Sequence, residues 1–232
     1  MLASATLSAL LVGTAAYHIA APPAAMPLGG RARANAPVCF EETEEHDPGE
    51  VAGLRVLKYP HPSLRAENCD VEKFDYNLKQ LTKKMFKMMY ASRGVGLAAP
   101  QVGINQRLMV VNWEGDPGRA SEELVLCNPR ILEMSSEKDV EVEGCLSFPG
   151  FTADVERSTD IVVEFTTVKG KPRRLELEGW KARVFQHEYD HLDGKLYATD
   201  RLDDAESARV QPALKRLIDR YEDIGDAPPK AL

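Results

Sequence analysis

The stretch Gln186-His187-Glu188-Tyr189-Asp190-His191 contains the pattern H-E-x-x-H and indicates what the fold is built around. Residues four apart lie on one face of a helix, so His187 and His191 can point two imidazole nitrogens at one metal ion. Glu188 can then reach a water on that ion without being a ligand itself. Apolar neighbours favour a helix from about Gly179 to Leu192. The alternative is a helix with two surface histidines.

Two histidines do not complete a catalytic metal site, which usually has three protein ligands and an open position. No further histidine follows closely, so the third ligand must come from elsewhere in the chain. Cys145, in the run Glu143-Gly144-Cys145-Leu146-Ser147, is the best candidate because a deprotonated thiol is a soft ligand. The alternative is that Cys145 is simply a small buried apolar side chain.

A third segment, Gly94 to Gly103, combines glycines and alanines with the amide of Gln101. Small residues allow the backbone to lie close to a ligand, and Gln101 offers a hydrogen-bond donor. The segment is not a phosphate-binding loop because no Gly-Lys-Ser/Thr follows it. Taken alone, it is more typical of a tight structural turn than of a binding site.

The rest of the folded part is predicted to contain a helix, then several strands, then a helix. Helices are predicted at Asn77–Ala91, Gly179–Leu192 and Pro212–Tyr221 from apolar spacing and from proline at a first helical turn. Alternating segments between turn residues predict strands at Leu108–Asn112, Leu124–Cys127, Val140–Glu143, Phe151–Val155, Ile161–Thr167 and Arg174–Leu177. This order predicts an α+β fold in which antiparallel strands pack around a central H-E-x-x-H helix, with flanking N- and C-terminal helices.

The three segments, in this order, resemble the peptide deformylase family. The family patterns G-x-G-L-A-A-x-Q, E-G-C-L-S and Q-H-E-x-D-H-L correspond to Gly94–Gln101, Glu143–Ser147 and Gln186–Leu192. The resemblance covers about Leu54 to Leu202 and is closest to the plastid and bacterial type. It implies the following roles: metal ligands Cys145, His187 and His191, catalytic acid/base Glu188, and an oxyanion site formed by Gln101 and the backbone N–H of Leu146.

The resemblance also implies an activity. The expected protein is a metallohydrolase that removes the N-formyl group from the N-terminal formyl-methionine of newly synthesised polypeptides, using an activated water and a glutamate. The expected cofactor is one divalent metal ion, Fe(2+) in preference to Zn(2+), Ni(2+) or Co(2+). The expected partners are formyl-Met nascent peptides and, transiently, the ribosome. A net charge of -7 and a pI near 5.4 predict no direct nucleic-acid specificity. No membrane association is expected.

Substrate contacts are implied by the same resemblance. Trp180, Val184 and His187 are expected near the methionine pocket and Glu143 at its rim, while ordinary packing is the alternative for Trp180. Gly96 is expected in the wall of the site. The remaining substrate contacts would be made by the backbones of two residues, Val95 and Gly144, through which the peptide binds as an added strand.

The chain before the folded part has a different composition. No acidic residue precedes Glu41, and Leu2–Ala16 is an apolar run too short to span a bilayer comfortably. This run followed by a zone with Arg31 and Arg33 resembles the two-part leader of plastids bounded by extra membranes. We therefore predict a targeting leader at 1–40, an acidic linker at 41–50, a catalytic domain at 51–223 and a tail at 224–232. The expected location is the plastid stroma, ahead of the mitochondrion; the alternatives are a disordered tail or a mis-assigned start codon.

Three other functional classes are compatible with parts of the pattern. A zinc endopeptidase would use a third ligand other than Cys145 and cleave internal peptide bonds. A non-catalytic binding module should have lost a ligand or Glu188, and neither is lost. A structural metal domain should have four closed protein ligands, and no fourth candidate stands out. The four cysteines show no spacing typical of a disulfide framework.

Overall fold

The computed structural model describes residues 48–224 and shows an α+β architecture. The helices are α1 Tyr76–Ala91, α2 Gly179–Leu192, α3 Tyr197–Asp200 and α4 Asp204–Ile224. The strands are β1 Gly96–Ala98, β2 Leu108–Val111, β3 Leu124–Met134, β4 Lys138–Cys145, β5 Phe148–Ser158, β6 Asp160–Thr166 and β7 Pro172–Glu178. Short 3-10 turns lie at Pro62–Arg65, Ala99–Val102 and Ala120–Glu122.

The strands form two antiparallel sheets. Five strands pair in the order β1-β2-β3-β6-β7, and β4 pairs with β5 in a separate two-stranded sheet. Antiparallel pairing with one face buried gives the alternating burial seen along β6, where Ile161, Val163 and Phe165 point into the core. The predicted antiparallel α+β fold is therefore confirmed.

Helix α1 begins at a capped end and packs by one face only. The carboxylate of Asp75 accepts a hydrogen bond from Leu78 N at 3.0 Å, which satisfies one of the free N–H groups of the first turn. Its apolar face, including Met85, Met88 and Met89, is fully buried in a cluster with β1 and β2. The predicted helix is confirmed, and its methionines are core residues.

Helix α2 is the central element of the fold. Most side chains from Ala182 to Leu192 are buried, because the helix contacts strands of both sheets. It follows β7 directly, and Gly179 at its start has a φ of +50°, a conformation that favours glycine. A helix buried on nearly all sides can hold polar side chains only where they have partners, and this helix carries the H-E-x-x-H motif.

The predicted elements differ from the structure mainly in extent. All six predicted strands exist and most are longer, whereas β1 and α3 were not predicted. The predicted start of the last helix at Pro212 is wrong: α4 begins at Asp204, where Asp203 Oδ1 accepts from Glu206 N at 2.8 Å. Pro212 lies inside α4, and the buried side chains Val210 and Leu214 on either side of it keep the helix packed.

The predicted leader at 1–40, most of the linker and the tail from 225 lie outside the described residues. Among residues 48–224, no helix is both long enough and apolar enough to cross a membrane.

Candidate metal site

Three predicted ligands come together at the junction of the two sheets and α2. Cys145 ends β4, while His187 and His191 lie one turn apart on α2. All three side chains are buried, and one ligand atom from each lies within 4.8 Å of the other two. Cys145 Sγ is 3.3 Å from His191 Nε2. The structure therefore brings together residues that are far apart in sequence.

The donor set fits a single metal ion. Sulfur and nitrogen ligands lie about 2.0–2.3 Å from a zinc-like ion, so neighbouring donors a little over 3 Å apart are expected. Within the described part of the chain, Glu188 Oε2 and His191 Nδ1 are buried and have no hydrogen-bond partner. Such unpaired buried atoms cost free energy, and a bound ion with its water would offer Glu188 a partner.

Electrostatics favour the metal-binding form of the thiol. Burial alone would raise the pKa of Cys145, but the neighbouring imidazoles of His191 and His187 hold it well below its usual range. Burial alone would lower the pKa of His187, but Cys145 and Glu143 hold it well above its usual range. The thiolate, the form that ligates metals, is thus stabilised within the protein.

Glu143 does not lie at a pocket rim as predicted. Its carboxylate is 0% exposed and accepts from His187 Nδ1 at 2.8 Å. Arg157 donates two hydrogen bonds of 2.9 Å to it, and Arg183 donates a third of 2.9 Å. Burial alone would raise the pKa of Glu143, but Arg157 and His187 hold it well below its usual range. A carboxylate in this position fixes the orientation of His187 and leaves its Nε2 available.

The buried charges extend to the far side of α2. Arg157 Nη1 lies 2.5 Å from Asp190 Oδ2, and Arg201 pairs with the same carboxylate. Burial alone would raise the pKa of Asp190, but Arg201 and Arg157 lower it. Every charge in this network has an opposite partner, which is what allows a buried ionic cluster to persist.

Glu188 lies against the Gly94–Gly103 segment. Its side chain is 2% exposed, and burial raises its pKa to about 7. A Cβ at Gly96 would lie only 2.5 Å from Glu188 Oε1. Gly96 is therefore required for the close approach of β1 to this carboxylate, while its place in the wall of a substrate site stays a prediction.

The side chain of Gln101 is positioned by the backbone N–H of Ala98. Its Oε1 accepts from Ala98 N at 2.8 Å, which turns Nε2 toward Cys145 Sγ at 3.5 Å and Ser147 Oγ at 3.4 Å. Leu146 follows Cys145 directly, and its carbonyl accepts from Lys58 Nζ at 3.1 Å. Both predicted oxyanion donors thus belong to residues next to Cys145. Their catalytic role stays a prediction.

The predicted substrate contacts differ in how they are buried and in what they contact. The Val95 carbonyl accepts from Asn112 N at 2.8 Å, and the Val95 and Val184 side chains are buried in the core. Trp180 is half-buried, and its Nε1 donates to Trp113 O at 3.4 Å. Gly144 is buried beside Cys145. The packing of Trp180 agrees with the alternative of a structural side chain, and its place in the methionine pocket stays a prediction.

Sequence reasoning missed Arg157 and Arg183. Strand alternation offered one signal, because Arg157 shares a face of β5 with the buried residues Ala153 and Val155. Helix spacing offered another, since Arg183 lies four residues before His187 on α2. Both positions predict an inward-pointing cation, and an inward cation needs a carboxylate such as Glu143.

Fold and site together define an α+β protein of the H-E-x-x-H class whose Cys-His-His group can bind a metal ion. A family model described as polypeptide deformylase matches residues 54–208. The chain belongs to the polypeptide deformylase family, which confirms the resemblance drawn from its three motifs.

Individual relatives agree with this assignment. Peptide deformylase 1B, chloroplastic, of Oryza sativa subsp. japonica is 46% identical over 170 residues, which are 73% of this chain and 62% of the relative. The peptide deformylase of Thermotoga maritima is 43% identical over 165 residues, 71% of this chain and 94% of that protein. A crystal structure of a mutant peptide deformylase 1B of Arabidopsis thaliana superposes with a TM-score of 0.73 at 41% identity, covering 76% of this chain and 96% of that one. The match thus spans less than two thirds of the rice protein's length.

Proposed function

We propose that this chain removes the formyl group from the N-terminal formyl-methionine of newly synthesised polypeptides. One observation carries the proposal: the buried Cys145, His187 and His191 donors lie beside a buried glutamate, Glu188, in a member of the polypeptide deformylase family. Predicted metal ligands next to a carboxylate with one unpartnered oxygen suit hydrolysis of an amide.

The residues Cys145, His187 and His191 would hold one divalent ion. When bound, this ion supplies a positive charge that acidifies water and polarises the formyl carbonyl. We propose Fe(2+) as that ion; a thiolate with two imidazoles also accommodates Zn(2+), Ni(2+) or Co(2+).

Glu188 would act as the general acid/base. It accepts a proton from the attacking water, whose oxygen adds to the formyl carbon. The carbon–nitrogen bond then breaks, formate leaves, and Glu188 delivers the proton to the departing amine of methionine. A carboxyl whose pKa is raised to about 7 is suited to both transfers near neutral pH.

The Gln101 amide and the Leu146 N–H would stabilise the negative charge that develops on the formyl oxygen. Ala98 N holds the Gln101 carboxamide in one orientation, so its Nε2 is preorganised beside Cys145. Losing one such donor typically costs about 2.7–4 kcal/mol of barrier height.

Peptide selectivity would come from the strand edges around the site. In the described chain β1 pairs only with β2 and β4 only with β5, so each has an open edge. We propose that the substrate backbone binds there through Val95, Gly96 and Gly144 as an added strand. The methionine side chain would lie near Trp180 and Val184.

The composition of the leader and the names of relatives support a location in an organelle. We propose a targeting leader at 1–40, a linker at 41–50 and a catalytic domain at 51–223, with the mature enzyme in the plastid stroma. The relatives named chloroplastic support an organelle. Transient association with the ribosome would bring the enzyme to its nascent substrates.

The proposal is tested with matched peptides and the metal-loaded full chain. We expect release of formate from formyl-Met peptides, no release of acetate from the acetyl-Met counterparts, and no internal cleavage. Glu188→Ala should retain the metal and lose about 10²–10⁴-fold in turnover, whereas Glu176→Ala on exposed β7 should not change turnover. Internal cleavage would favour an endopeptidase, and near-normal turnover of Glu188→Ala would contradict the role of Glu188.

A further inference from the structure

Helix α1 is positively charged in an acidic chain. The whole chain has a net charge of -7, yet Tyr76–Ala91 contains four lysines and no Asp or Glu. All four are exposed, and they are Lys79, Lys83, Lys84 and Lys87. Three of them follow the i, i+4, i+8 spacing and therefore form a stripe along one face of the helix.

Helix α4, which is also exposed on one face, pairs basic side chains with acidic ones along its surface. Lys215 lies 2.7 Å from Asp219 one turn later, and Arg209 pairs with Glu206. On α1, by contrast, none of the lysine ammonium groups forms an ion pair with a carboxylate of the described residues. Like charges at i, i+4 destabilise a helix, so this stripe works against the stability of α1 and calls for an anionic partner.

The other face of α1 limits what that partner can be. Met85, Met88 and Met89 are 0% exposed and are covered by the protein's own core. A helix that lies in a membrane interface needs a free apolar face, and α1 has none. At the start of the stripe stands Tyr76, which is 71% exposed and offers a ring and a hydroxyl. Lysines with an exposed aromatic side chain suit nucleic acid, because the cations contact phosphates and the ring stacks on an unpaired base.

We propose that the exposed face of α1 binds RNA through its phosphates, without reading the base sequence. Residues four apart on a helix advance about 6 Å, so the stripe can follow a run of successive phosphates. The C-terminal end of α1 leads through Ser92 and Arg93 into Gly94, whose N–H donates to Met89 O at 2.8 Å. RNA on this face would therefore lie next to the segment that forms the wall of the metal site.

The test measures binding of a fluorescein-labelled RNA hairpin to the full chain by anisotropy, at several salt concentrations. Its main variant is Lys79→Gln with Lys83→Gln and Lys87→Gln. The matched control is Lys169→Gln with Lys171→Gln and Arg173→Gln, which removes three exposed cations from the β6–β7 hairpin. Thermal melting and hydrolysis of a small formyl-Met peptide check that both variants are folded, and neither readout depends on RNA.

We expect the α1 variant to lower the slope of log affinity against log salt by about 2–3, since each phosphate contact contributes about 0.7–0.9. The control should leave that slope nearly unchanged, and peptide hydrolysis should be equal in all three proteins. An unchanged slope in the α1 variant, or an equal loss in the control, would overturn the proposal. Binding of wild type to phosphatidylglycerol vesicles but not to RNA would also overturn it and would point to a lipid surface.

Discussion

Glu143 shows how one residue's position changes its function. The motif placed it two residues before Cys145 and suggested a pocket rim, but strand alternation turns its side chain inward. Inside, it is the common acceptor for Arg157, Arg183 and His187. Its contacts are therefore those of a positioning residue, since it holds the ring of the predicted ligand His187.

Replacing Glu143 with Gln should destabilise the fold strongly. The substitution keeps the shape but leaves two buried guanidinium groups facing a neutral amide, and removing one partner of a buried ion pair costs about 3–5 kcal/mol. Urea denaturation of the metal-free chain measures this loss. Glu141→Gln is the control, because Glu141 pairs with Arg183 at 3.3 Å but its side chain is 40% exposed, and its loss should stay below about 1 kcal/mol.

The stabilisation that Glu143 provides should decrease in acid. The folded pKa of Glu143 lies below its unfolded value, so the unfolded chain binds more protons in acid. The stabilisation is present at neutral pH and is lost as the pH falls through the folded pKa. The free energy of unfolding should therefore fall less steeply in acid for Glu143→Gln than for wild type; equal slopes and equal stability would contradict the buried network.

Among the site residues, those that lie close together on one helix could be predicted from the sequence. His187 and His191 share a helix face by periodicity alone, and Glu188 follows from its place between them. The ligand role of Cys145 was a choice among alternatives, because no local rule brings β4 to α2. Arg157 was not predicted because the predicted strand ended at Val155, whereas β5 continues to Ser158 and buries the Arg157 side chain.

At the scale of elements, helices with clear periodicity were predicted well and short or irregular elements were not. The bounds predicted for α2 match the structure, and those for α1 differ by one residue. Three-residue β1 has no periodicity to detect, since all its residues are buried. The start of α4 was missed because a proline usually marks a first turn, whereas here the cap at Asp203 comes earlier.

Strand β4 reverses the usual pattern of a surface strand. Val140 is 60% exposed and Val142 is 44% exposed. The intervening acidic residues face Arg183, which contacts Asp139, Glu141 and Glu143. Arg183, together with Arg157 at Glu143, thus favours the acidic face of β4 as the inward one, whereas hydrophobicity alone would predict the opposite face. The strand that ends at Cys145 is therefore anchored to α2 by charge.

For the whole molecule, the sequence predicted the fold class and family but not the arrangement of two sheets around α2. The split into a five-stranded and a two-stranded sheet depends on long-range pairing such as β3 with β6. That pairing skips two intervening strands, and no turn between neighbours specifies it. The family motifs identified the segments that form the site. Which segments contact each other is determined by tertiary packing.

The proposed leader is also a property of the whole chain. If residues 1–40 direct the protein to a plastid, residues 1–45 fused to a fluorescent reporter should concentrate the reporter in that organelle. The matched control is the reporter fused to residues 48–224, which lack the leader and should stay diffuse. Diffuse signal from the leader fusion would remove the plastid proposal, and mitochondrial signal would replace it, without affecting the proposed chemistry.

We propose that one thiolate from β4 and two imidazoles from α2 hold a single ion. X-ray absorption spectroscopy of the zinc-loaded full chain tests it directly. We expect one sulfur at about 2.3 Å and nitrogen ligands at about 2.0–2.1 Å, with the sulfur signal lost in Cys145→Ser. A wild-type spectrum without sulfur, or an unchanged sulfur signal in Cys145→Ser, would contradict it.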